Sequence, residues 1–125
     1  MSLLQTDVSN PLGAKVATES SGNASTVNQI DDTGGTIYQI EVSNLDGNAA
    51  VFLKLWQGTN STPTVGSDAP DHVIRCLAAS TVSISYPGGL VYGTALWAAV
   101  VEASGGTEGT TDPTATVKYS IRYTT

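Results

Sequence analysis

At 125 residues and 40% hydrophobic content, the chain is sized for one domain with one modest core. Only 13% of its residues are charged, against a usual globular share of roughly 25%. The net charge of −6 and five scattered basic residues, Lys15, Lys54, Arg75, Lys118 and Arg122, exclude nucleic acid and anionic membrane surfaces as partners.

Taken in chain order, Met1 to Asp7 has neither the basic nor the apolar region of a secretory signal, so synthesis in a cytoplasm is expected. Residues 1–13 read as an arm that needs a partner to become ordered, and residues 14–125 as a single domain. Turn signals at Ser21-Gly22-Asn23 and Asp31-Asp32-Thr33-Gly34-Gly35 bound two possible short strands, 14–19 and 25–30. Residues 36–44 alternate, with Tyr38, Ile40 and Val42 on one face and Gln39, Glu41 and Ser43 on the other. Asn44-Leu45-Asp46-Gly47-Asn48 carries an Asp-Gly hairpin signal.

Residues 50–57 are apolar on both faces, which predicts a central strand or one at an interface. A loop with Pro63, Gly66 and Pro70 leads to strands 73–77 and 81–86, the second ended by Pro87-Gly88-Gly89. Residues 90–101 are the most apolar stretch. Gly93 and Thr94 break it, and it falls short of the ~18 residues of a membrane span. Residues 95–103 form another strand apolar on both faces, and 114–123 a last one with clean alternation. No helical period is present. The expectation is an all-β, antiparallel β-sandwich, jelly-roll-like, with about eight strands, in which loops 58–71 and 104–113 cross between sheets.

The chemical inventory is thin. His72 has no nucleophile-elbow partner, and one histidine with one cysteine cannot close a four-ligand zinc site. Cys76 reads as a small buried hydrophobe with Arg75 on the opposite face. The carboxylates Asp31/Asp32, Asp46, Asp68/Asp71 and Asp112 lack calcium-loop spacing and read as turn residues. No catalytic residue, metal or cofactor is expected, and the chain is read as no enzyme. Trp56 and Trp97 are read as packing or subunit-interface residues, with sugar stacking as the alternative. The sequons at Asn23 and Asn60 carry no weight without a secretory signal.

The run Tyr38-x-Ile40-x-Val42-x-Asn44 followed by Ala50-Val51-Phe52-Leu53-Lys54-Leu55-Trp56 resembles small virion proteins of tailed bacteriophages. Pro63-Thr64-Val65-Gly66-Ser67-Asp68-Ala69-Pro70, Pro87-Gly88-Gly89-Leu90-Val91-Tyr92-Gly93-Thr94-Ala95-Leu96 and the closing strand 117–123 extend the likeness. The family members most similar are capsid decoration, or cement, proteins. The resemblance implies a β-sandwich structural protein on a phage particle and leaves head, tail or fibre open; a decoration protein on the outer surface of the head, assembled as a homotrimer and bound to the major capsid protein, is the first expectation. It also implies that the arm, with Leu3, Leu4, Val8 and Leu12, makes that contact, and that Trp56 and Trp97 lie at partner surfaces. A tail, baseplate or head-fibre component and a carbohydrate-binding module are the competing expectations.

Overall fold

The computed structural model describes residues 15–102 and 109–125. The arm 1–13, with Leu3, Leu4, Val8 and Leu12, lies outside the described residues. Eight strands follow one another: β1 Lys15–Glu19, β2 Asn28–Asp31, β3 Gly35–Asn44, β4 Val51–Gln57, β5 His72–Cys76, β6 Ser80–Tyr92, β7 Leu96–Val101 and β8 Val117–Thr124. They form two antiparallel four-stranded sheets, ordered β1-β8-β3-β6 and β2-β7-β4-β5. The pairs β1:β8, β2:β7, β3:β6 and β4:β5 are those of one long hairpin wound on itself, so the sandwich is a jelly roll. No helix occurs among the described residues.

Alternation decides what fills the space between the sheets. Ile40 and Val42 of β3 and Val117, Tyr119, Ile121 and Tyr123 of β8 meet Val51, Leu53 and Leu55 of β4 and Leu96, Ala98 and Val100 of β7. These inward rows carry most of the burial, at roughly 25 cal/mol per Å² of apolar surface removed from water. Cys76 is part of this core, as its apolar surroundings led one to expect, and Arg75 points the other way into solvent.

Five expectations need correction. The Asn44–Asn48 turn does not close a hairpin, because β3 and β4 lie in different sheets. It is a crossing pinned by buried polar groups. The Asn44 side-chain amide donates to the carbonyls of Ala49, Cys76 and Leu77, and the Asp46 carboxylate accepts from the Asn48 N–H and the Thr114 hydroxyl. Loop 58–71 is not a crossing, since it joins β4 to its neighbour β5 within one sheet.

Pro87-Gly88-Gly89 does not end its strand either. Residues 86–89 stand opposite the single residue Tyr38, a wide bulge on an edge strand, where a proline costs no ladder bond. Gly89 has φ +79°, and a Cβ there would stand 2.3 Å from the Thr36 methyl, so glycine is required. In the β3:β8 ladder Tyr38 is itself the extra residue, which puts Ile37 rather than Tyr38 beside Ile40 in the core. Finally, Thr114–Thr116 belong to the preceding loop, leaving Ala115 exposed.

Candidate functional site

The outer faces of the two sheets are built differently. On the β1-β8-β3-β6 sheet the outward rows are Val16, Arg122, Gln39 and Ser85; then Thr18, Ser120, Glu41 and Ser83; then Lys118, Ser43 and Thr81. No segment of the described chain packs over them, and most of these side chains are exposed. Two hydrogen bonds tie the hydroxyls together, from Gln39 Nε2 to Ser83 Oγ at 3.1 Å and from Thr81 Oγ1 to Ser43 Oγ at 3.2 Å. A shallow depression between Thr18, Glu41, Ser43 and Lys118 runs across the face.

The outer face of the β2-β7-β4-β5 sheet is apolar and covered by the chain itself. Trp56 and Trp97 are cross-strand partners, 4% and 6% exposed. With Ala95 and Ala99 they form a second apolar cluster, onto which Val27 and Val65 fold from loops. Each indole N–H is satisfied by loop 58–71, Trp56 Nε1 donating to the Asp68 carbonyl at 3.0 Å and Trp97 Nε1 to the Thr59 carbonyl at 2.8 Å. The two tryptophans therefore fasten a loop. Neither ring is free to stack a sugar or meet a partner, and the two-sided apolar character of β4 and β7 is spent within the chain.

Lys54 lies in the same face, fully buried, its ammonium 3.4 Å from the Gly109 carbonyl. Burial holds its pKa below the usual lysine value of 10.5. Toward the β5 edge the cover ends: Val73 and Leu77 are exposed and Phe52 is half-buried.

The aspartates act as loop clasps, in keeping with their reading as turn residues. Asp112 accepts from the Ser25 hydroxyl and the Ala24 and Ser25 N–H groups, which holds its pKa below 3.8 and joins loop 109–116 to loop 20–27. Asp46 is lowered likewise, chiefly by the Thr114 hydroxyl. Burial tends to raise Asp31, but hydrogen bonds from Tyr92 and Thr33 outweigh it and leave the pKa lowered. Tyr92 is raised by its own burial and by that same carboxylate. Asp68 caps the Thr64 N–H and Asp71 the Gln57 N–H, both at 2.8 Å. His72 is the first residue of β5, opposite Leu55. Among the described residues no three His, Cys, Asp or Glu side chains gather where they could hold a metal ion.

Loop 58–71 also builds an open hollow of about 400 Å³ beside Trp56, Gln57, Ser61, Thr62, Asp68 and Asp71. The sequence signal for it was present, a Ser/Thr run followed by an Asp-x-x-Asp pair. It could not be placed without knowing that the loop folds back over its own sheet.

No protein-family model matches the chain, and no curated protein or solved structure gives a significant match.

Proposed function

We propose that the chain is a non-enzymatic structural protein of a tailed-phage particle, a decoration protein that binds the major capsid protein on the outer surface of the head and assembles as a homotrimer. The observation that carries this reading is the uncovered outer face of the β1-β8-β3-β6 sheet. It is broad and rich in hydroxyl groups that can exchange water for a partner's polar groups, and it carries three charged side chains, Arg122, Glu41 and Lys118, that a partner would have to match. It is also continuous with the arm, because β1 is an edge strand of that same sheet and residues 1–14 lead directly into it. Arm and face together supply one docking surface, and the loop-covered face of the other sheet then points away from the shell.

The test begins with composition. Quantitative mass spectrometry of purified particles of the phage that encodes the chain is expected to find it in numbers comparable to the capsid subunits. A handful of copies per particle would move it to the tail, baseplate or a fibre, and its absence would end the reading. Deleting residues 1–13 is expected to leave the sandwich folded and abolish binding to particles assembled without the chain. Light scattering is expected to give three times the 12.8 kDa chain mass.

A further inference from the structure

The hollow under loop 58–71 has a chemistry that the particle-docking reading does not use. Its apolar lining comes from the buried Trp56 and Pro63. Its walls are Gln57, Ser61, Thr62, Asp68 and Asp71. The frame is rigid, because the loop is bonded to both tryptophan indoles, to the Gln57 N–H through Asp71 and, through Asp71 N–H, to the Leu55 carbonyl.

Each aspartate has one oxygen committed to a backbone N–H, Oδ2 in both cases. Among the described residues no hydrogen bond within the chain engages the other oxygen of either aspartate, the Gln57 amide, or the hydroxyls of Ser61 and Thr62. The hollow thus offers fixed acceptors, groups that both donate and accept, and an apolar lining. Its volume of about 400 Å³ falls in the range of small-molecule sites.

From this arrangement we infer that the hollow is a binding site for a neutral saccharide, one or two pyranose units of a larger glycan. Vicinal hydroxyls of a pyranose match carboxylate and amide groups that can take two hydrogen bonds side by side. Two carboxylates in a chain of net charge −6 disfavour phosphate, sulfate and uronic acids. A cationic side chain is the other candidate for such carboxylates, but the remaining walls are hydroxyl and amide groups, and the aspartates are not gathered with a third acidic group. The hydrogen-bonding walls, not the buried Trp56 ring, carry the site, and it stands apart from the sheet face assigned to particle docking.

The test is a titration of the full chain, followed by ¹H–¹⁵N NMR. The probes are the methyl glycosides of glucose, galactose, mannose and N-acetylglucosamine, their β-linked disaccharides, glucuronic acid, and N-acetyl-lysine methylamide. At least one neutral sugar is expected to shift Gln57, Ser61, Thr62 and Asp71 saturably, with a dissociation constant of about 1–10 mM, as suits a few exposed hydrogen bonds. Gln57→Ala and Ser61→Ala remove side chains with no bonding role in the fold. Each is expected to weaken that binding roughly tenfold while leaving the rest of the spectrum unchanged. The inference is overturned if no neutral sugar shifts these residues, if the two variants bind as the wild type does, or if the lysine analogue binds there in place of sugars. Particle binding is scored separately, so either proposal can fail while the other stands.

Discussion

The two sheets of this jelly roll share one core but dispose of their outer faces in opposite ways. On one, Ser83, Ser85, Thr81, Glu41 and Ser120 stand bare. On the other, Trp56, Trp97, Ala99 and Lys54 are sealed by loop 58–71, Val27 and Gly109 of the same chain. An apolar outer face signals a cover, and here the chain supplies its own. A polar, uncovered face can accept a cover from elsewhere only if the cover matches its hydroxyls and its three charged side chains, Arg122, Glu41 and Lys118.

The sharpest way to break this comparison is to truncate one residue on each face. Trp97→Ala is expected to lose about 3–5 kcal/mol, through a cavity and an orphaned Thr59 carbonyl, whereas Ser83→Ala stays within about 0.5 kcal/mol. Urea unfolding midpoints measure both. Similar losses for the two variants would mean that the covered face is not a core.

Lys54 sharpens the comparison from within the sealed face. Lys54→Met is expected to stabilise the fold by about 1 kcal/mol at neutral pH, because a buried ammonium with a single long hydrogen bond among the described residues is replaced by an apolar chain. Its native pKa is lowered, so the unfolded chain binds the proton more tightly. The wild-type penalty is therefore full at neutral pH and is relieved as pH rises from the lowered value toward 10.5. The advantage of Lys54→Met should shrink over that alkaline window. A variant that instead loses stability at pH 7 would show that the ammonium has a good partner.

The smallest effect concerns the clasps. The Asp112 pKa is depressed in the folded state, so its contribution is present above 3.8 and is lost as pH falls through the lowered native value. Asp112→Asn is expected to lower stability slightly at neutral pH and to match the wild type in acid, which flattens part of the acid limb of the stability curve. An acid limb identical to that of the wild type would remove this clasp from the account.

These contrasts also explain what could be read from residues alone. Strands β3, β6 and β8 alternate because one side of their sheet meets water, so their existence and the inward rows Ile40/Val42, Val82/Ile84 and Val117/Tyr119/Ile121/Tyr123 were legible, while Ile37, the β6 extension to Tyr92 and the start of β8 were not. β4 and β7 were equally legible as strands, but their second apolar face fitted either a neighbouring subunit or the chain's own loop. Periodicity along a strand cannot tell these apart, since the cover comes from residues such as Val65 and Gly109 that lie in irregular segments. The Asp46-Gly47 pair has the composition of a hairpin turn, and a sheet crossing uses the same turn chemistry. Pro87-Gly88-Gly89 has the composition of a strand end. On an edge strand the missing N–H costs nothing, and the three residues became a bulge. The 58–71 hollow depends on a loop folding back over a sheet, a long-range placement with no local signature.

The most direct measurement is binding of the double variant Ser83→Arg/Ser120→Arg to particles of the encoding phage assembled without this chain, scored by co-sedimentation beside the wild type. Both chains should melt alike, because these side chains contribute nothing to the core. The account predicts saturable binding by the wild type and none by the variant, since two bulky cations stand in the middle of the docking face. Undiminished binding by a fully folded variant would contradict it and move the contact elsewhere on the molecule.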